Sequence, residues 1–212
     1  MRKVFIARGS YEYELLFQEN GYEVVSDEHE ADLICFTGGE DVDPHLYGEP
    51  RHRTTYPNML RDVNEQRLYR MAIASNKPMV GICRGGQFLN VMCGGGMFQD
   101  VSKHAIRGTH TLYDLLDGDI LQVTSTHHQM MKPGKDALVV AVAKEGGTRT
   151  VFSQEHNAFS IEQSEEGKHV DYEVICYEEA ACLCFQPHPE FMGHEFKPMK
   201  EYFFRCIDMY LF

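Results

Sequence analysis

The segment GICRGGQ, Gly81 to Gln87, sets a cysteine among glycines where an apolar run gives way to a helical pattern. Met79 to Ile82, set off by Pro78, reads as a buried strand, and from Arg84 a helix follows that stops at Gly94-Gly95-Gly96. A junction of this kind can make the sharp strand-to-helix turn that exposes a nucleophile. Cys83 at the turn faces the unpaired amides and positive end of the helix, which favour thiolate. The amide of Arg84 points to where an oxyanion would form. Near the other end of the chain, Pro187 and Pro189 hold His188 extended, so His188 and Glu190 project to roughly the same side. A carboxylate so placed can accept from one imidazole nitrogen while the other reaches a thiol, the logic of nucleophile, base and orienter. Taken singly, each piece also has a plain structural reading, as a small core thiol and a solvated loop.

The elements that must position these residues alternate between strand and helix. Arg2 to Ala7, Tyr22 to Val25 and Leu33 to Phe36 read as strands, and Tyr11 to Gln18 as a short helix closed by Asn20-Gly21. Asp62 and Glu65 resemble a capping box for a helix over Val63 to Ser75. Such alternation implies a parallel sheet covered on both faces, with ligands outside the carboxyl ends of the strands. Leu33 to Phe36 runs into Thr37-Gly38-Gly39, which can offer an unencumbered amide to a ligand. Beyond the cysteine helix, Asp114 to Gly118 reads as a turn and Leu121 to Thr124 as a strand leading into Ser125 to Met131. Ala137 to Ala143 and Val170 to Phe185 read as strands, and Glu195 to Met209 as a helix. The polar stretch Lys144 to Lys168 fits no single pattern.

The 212 residues suit one core, a single domain over 1–212. The net charge is −12, with 20 basic and 32 acidic residues and no long basic run, which argues against nucleic acid or an anionic membrane as partner. No apolar stretch approaches the length of a membrane span. Seven cysteines without small-scaffold spacing point to free thiols and a cytoplasmic setting.

Four separated pieces, Thr37-Gly38-Gly39, GICRGGQ, the His127-His128-Gln129 segment and Pro187-His188-Pro189-Glu190, together resemble the class I glutamine amidotransferases in order and rough spacing. Within that superfamily GGEDVDPHLYGE, RDVNE (Arg61 to Glu65), GICRGGQFLNVMCGGGMFQD and STHHQ look closest to the γ-glutamyl hydrolase branch typified by γ-glutamyl-γ-aminobutyrate hydrolase. The resemblance implies a three-layer, flavodoxin-like α/β sandwich, with a mostly parallel central sheet and helices on both faces. It implies a Cys-His-Glu triad on Cys83, His188 and Glu190, and an oxyanion hole from the amides of Gly39 and Arg84. Gln87, His128 and Gln129 inherit the positions that hold the glutamyl end of the substrate. The expected activity is cleavage of a γ-glutamyl amide bond, in a γ-glutamyl amine or glutamine, through a glutamyl thioester, without metal or organic cofactor. One alternative is a glutaminase that delivers ammonia to a separate synthetase partner. Another is a binding or regulatory protein that keeps the fold without catalysis.

Cys182 and Cys184 share even spacing with His188 and could imitate metal ligands, but they lie in the apolar run ACLCF and read as core thiols. Cys93 also reads as core. His104, His110 and His127 have no partner that the sequence names.

Overall fold

The first half of the chain runs β1 (Arg2–Ala7), α1 (Tyr11–Glu19), β2 (Tyr22–Val25), β3 (Leu33–Phe36), α2 (Met59–Ala74), β4 (Met79–Ile82) and α3 (Arg84–Met92). The rest runs β5 (Gly96–Phe98), β6 (Ala105–Asp114), β7 (Ile120–Thr126), β8 (Met130–Lys132), β9 (Leu138–Ala143), β10 (Thr148–Ser153), β11 (Ala158–Gln163), β12 (Asp171–Tyr177), β13 (Cys182–Phe185) and α4 (Lys197–Tyr210). This computed structural model describes residues 1–144, 146–164 and 168–212, without the Arg107 side chain. Gly167 of the unassigned polar stretch lies outside the described residues.

Nine strands form the central sheet in the order β2-β1-β3-β4-β13-β12-β9-β6-β7. Pairing is parallel from β2 to β13 and antiparallel from β13 onward, yet only β12 and β6 run against the other strands. The sandwich follows from side-chain alternation along each strand. Leu33 and Cys35 pack with α1 and α4 through Leu16, Phe17, Phe203 and Ile207. Ile34 and Phe36 point the other way, onto Leu68 and Ala72 of α2 and Phe88 and Leu89 of α3. Both faces being covered, β3, β4 and β13 are apolar throughout, which is why they stand out in the sequence.

Three adjacent strands, β3, β4 and β13, end at the same edge of the sheet and release Thr37, Cys83 and Gln186 there. Helix α3 can lie close to that edge only because Gly85 and Gly86 in its first turn have no side chains. A Cβ on Gly85 would stand 2.1 Å from the carbonyl oxygen of Phe36 in β3. Gly85→Ala must therefore push α3 off the sheet, and we expect a loss of about 2–3 kcal/mol. That corresponds to a fall in melting temperature of roughly 5–10 °C, which a thermal melt would read.

Three features depart from the sequence expectations. Helix α2 begins at Met59 rather than Val63, because the Asn58 side chain caps it by accepting from the amide of Arg61. Asp62 and Glu65 are consequently not a capping pair; their carboxylates turn inward. Strand β6 was not expected at all. Its inward positions are His110, Leu112 and Asp114, alternating with exposed or half-buried neighbours, so the period of two is present but two of its three buried residues are polar. Finally, the polar stretch folds as the antiparallel hairpin β10–β11. Cys182 and Cys184 are buried core thiols as expected, and all seven cysteines are free.

Candidate active site

Cys83 sits between β4 and α3 with φ 52° and ψ −114°, a conformation that non-glycine residues rarely adopt. Two hydrogen bonds hold it there: its amide donates to Phe185 O at 2.7 Å, and its carbonyl accepts from the Gln87 amide at 3.0 Å. The turn is thus over-determined by β13 on one side and α3 on the other.

His188 and Glu190 leave the end of β13 and meet this turn. His188 Nδ1 lies 2.6 Å from Glu190 Oε1, and the His188 amide donates to Thr124 Oγ1 of β7 at 2.7 Å. Cys83 is the ring's other influential neighbour, and both residues adjoin the backbone of Gly38. A Cβ built on Gly38 would be 3.0 Å from His188 Cε1 and 3.7 Å from Cys83 Cβ, so the strand end of β3 fills the space between them with backbone alone. Glu190 is buried, and the Tyr13 hydroxyl, which accepts from the Gly38 amide at 3.0 Å, stands beside it.

Burial lowers the affinity of His188 for a proton, but the adjacent Cys83 sulfur and the Glu190 carboxylate outweigh it and push its pKa up to about 11. A raised folded-state value stabilises the fold fully below the ordinary imidazole pKa of 6.5, and this contribution is lost as pH rises through about 11. The His188 ring is therefore expected to stay protonated through mildly alkaline pH in NMR titrations. In Cys83→Ala it should titrate lower, because the largest favourable influence is gone; an unchanged titration would contradict the contact.

Gly39 follows with φ +140°, in the region that favours glycine, and a side chain there would run into the Arg61 guanidinium. What holds this loop is a buried group of charges that the sequence did not suggest. Arg61 donates to Gly38 O at 3.0 Å, to Thr37 O at 2.7 Å and to Glu65 Oε1 at 2.7 Å. Arg84 donates to Glu40 O at 3.1 Å and pairs with both Asp62 and Glu65. Glu65 thus joins the two arginines, one gripping the loop of Gly39 and the other belonging to the helix that starts behind Cys83. Both amides expected to face an oxyanion are carried by this single network. The spacing of Arg61 and Glu65, four residues apart on a helix, was the available signal.

A cleft of about 330 Å³ opens over Cys83 and Arg84, walled by Gly39 to Asp41, Tyr56, Gln87 and residues 126–129. Six of the expected site residues line it; His188 and Glu190 are not among its lining residues. Gln87 and Gln129 serve the scaffold as well. Gln87 Nε2 donates to Gln129 O and to Gln186 Oε1, both at 3.1 Å, and Gln129 Nε2 donates to Thr55 Oγ1 at 3.0 Å. Gln129 Oε1 is buried without a partner among the described residues. His128 Nε2 lies 3.1 Å from Asp41 Oδ1, and this contact raises the pKa of His128 against the opposing effect of burial.

Residues 18–112 match the Peptidase C26 family. A Lactococcus lactis protein provisionally named glutamine amidotransferase-like protein YvdE is 30% identical over 152 residues. That match takes in 62% of this chain and 64% of the relative, so the chain spans less than two thirds of the relative's length. Among solved structures, a glutamine amidotransferase from Thermotoga maritima shares the fold with a TM-score of 0.61 at 15% identity, over 98% of this chain and 84% of that one. A Thermoplasma acidophilum protein, provisionally named as one of the subunits of a GMP synthase, does so with a TM-score of 0.58 at 15% identity, over 98% of both chains. Over these stretches the chain is similar in sequence to a Peptidase C26 family model and to a glutamine amidotransferase-like protein, and it shares its fold with solved glutamine amidotransferases.

Proposed function

We propose that the chain is a cysteine hydrolase of γ-glutamyl amide bonds. The observation that carries this reading is the convergence on one cleft of Cys83 in its constrained turn, the His188–Glu190 pair against it, and the Gly39 and Arg84 backbone on the other side. In this mechanism Cys83 thiolate attacks the γ-carbonyl carbon. The amides of Gly39 and Arg84 stabilise the oxyanion of the tetrahedral intermediate. His188, protonated and held by Glu190, gives its proton to the departing amine as the carbon–nitrogen bond breaks. It then takes a proton from water, which attacks the glutamyl thioester and releases glutamate and the thiolate. Gln129 Oε1, an unmatched acceptor in the cleft wall, suits the substrate's α-ammonium group, with Gln87 positioning Gln129 and His128 facing the entrance.

A second reading keeps every step but takes glutamine as substrate and passes ammonia to a separate synthetase. The likeness in fold to a protein named as part of a synthase favours it. Glutamate release from a panel of glutamine and γ-glutamyl amines tests both. Release from a γ-glutamyl amine in preference to glutamine supports the free-standing hydrolase, and the reverse preference supports the glutaminase. Absence of release from every member, with Cys83 also resisting a thiol-reactive glutamine analogue in folded protein, would overturn both in favour of a non-catalytic binding protein.

A further inference from the structure

His104, His110 and His127, which the sequence left without partners, converge on Glu173. His110 Nε2 lies 3.0 Å from Glu173 Oε1, His127 Nε2 3.8 Å and His104 Nδ1 3.9 Å. One donor atom from each of the four side chains lies within 4.8 Å of all the others, and all four residues are buried. They come from separate parts of the sheet. His104 precedes β6, His110 is in β6, His127 follows β7, and Glu173 is in β12.

The outward nitrogens decide what the inward ones present. His127 Nδ1 lies 2.9 Å from the carbonyl oxygen of Gln129, an acceptor, so in the neutral ring the proton sits on Nδ1 and Nε2 aims a lone pair at Glu173. His104 Nε2 lies 2.8 Å from Asp171 Oδ2, and Arg149 pairs with the other oxygen of Asp171 at 3.0 Å. The proton of that ring is therefore on Nε2, and Nδ1 aims a second lone pair at Glu173. Two imidazole lone pairs and a carboxylate facing one another among buried side chains favour positive charge between them. A carboxylate and a carbonyl holding the outer ring nitrogens is also the usual support of metal-bound histidines.

We propose that His104, His110, His127 and Glu173 form a closed, tetrahedral site for a divalent transition metal of the zinc class. Three imidazole nitrogens and one carboxylate oxygen match that ion's preference, and four protein ligands leave no open position, so the ion is structural. Metal bonds of about 2.0–2.2 Å require donor atoms roughly 3.3–3.5 Å apart, which the four side chains reach by shifts on the order of an ångström. The ion ties β6, β7 and β12 together directly beneath His127, and so anchors residues 126–129, the wall of the cleft over Cys83. This site does not depend on the reaction assigned to Cys83.

The full chain, stripped with a chelator and reloaded, is expected to hold about one equivalent of Zn²⁺ and, with Co²⁺ instead, to show intense tetrahedral absorption bands. Loading should raise the melting temperature by about 10 °C. Glu173→Gln should abolish the tetrahedral Co²⁺ spectrum. Asp171→Asn, which leaves all four ligands in place, should weaken Zn²⁺ binding by about 10- to 100-fold. The wild-type measurements stand even where a variant fails to fold. Failure of the wild type to take up metal, an octahedral Co²⁺ spectrum, or an unchanged melting temperature on loading would overturn the proposal. Metal-free protein with His104 and His127 both protonated at neutral pH by NMR, and no uptake of metal, would identify protons as the missing positive charge.

Discussion

Cys83→Ala is expected to abolish glutamate release, by on the order of 10⁴-fold or more, while the protein remains folded. The size of the effect follows from the geometry. In the proposed mechanism the covalent intermediate forms on Cys83, which is the only cysteine among the residues that line the cleft. Cys83→Ser is the stricter form of the test. It keeps an oxygen nucleophile in the same constrained turn, but a hydroxyl is far harder to deprotonate than a thiol, and the ion pair with His188 is lost. Both variants should therefore be inactive, and both should escape a thiol-reactive glutamine analogue that labels the wild type. Wild-type turnover in either would remove Cys83 from the mechanism. Both variants should melt somewhat below the wild type at neutral pH, since the contribution of Cys83 to the raised His188 pKa is lost with the thiol.

The second large effect is expected at Glu65, a residue that touches no substrate. Glu65 is buried and bonds both Arg61 and Arg84, so Glu65→Gln leaves two buried guanidinium groups sharing Asp62 and the half-exposed Glu40. Removing one partner of a buried ion pair costs about 3–5 kcal/mol, mostly as the penalty for the stranded charge. For a chain of this size that is a fall in melting temperature of roughly 6–20 °C. The strain on the network is already visible in its proton equilibria. Burial, reinforced by Arg61, lowers the pKa of Arg84, and burial raises that of Asp62. Both shifts run toward neutrality, the sign of charges short of solvation. A structural role alone would stop at stability. Because Arg61 holds the carbonyls of Thr37 and Gly38, and Arg84 begins the helix behind Cys83, Glu65→Gln should also lower kcat more than it raises KM, measured well below its melting temperature. Equal stability to the wild type would show that the quartet's charges are better solvated than their burial implies. Loss of stability with unchanged kcat would show that the amides of Gly39 and Arg84 are placed by other contacts.

The parts of the fold that were legible in the sequence share a physical property. Strands β1, β3, β4 and β13 are buried on both faces, so their requirement for apolar residues is local and shows as short uninterrupted runs. The cysteine turn was legible for a similar reason. A backbone at φ 52° beside a helix packed within 2.1 Å of a neighbouring strand, measured to a Cβ that Gly85 lacks, leaves a signature of small residues. Pro187 and Pro189 fixed the extended backbone that aims His188 and Glu190 together, again within a few residues of chain.

What the sequence concealed was polar and buried. Strand β6 hid because His110 and Asp114 occupy positions where an apolar residue would have declared the period. Asp62 and Glu65 imitated a helix cap because their true partner, Arg84, lies on the next helix. His104 acquires its meaning from Asp171 and Glu173, on a strand that lies across the sheet. An apolar side chain needs only the absence of water, which local pattern expresses. A buried charge or imidazole needs a particular partner at a particular distance, and that partner is supplied by whichever strand the sheet order brings alongside. The sequence by itself therefore determined the cysteine turn and the layers that carry it. Only the tertiary structure decided which charges hold the cleft in shape, and that three histidines and a carboxylate meet in one buried cluster beneath its wall.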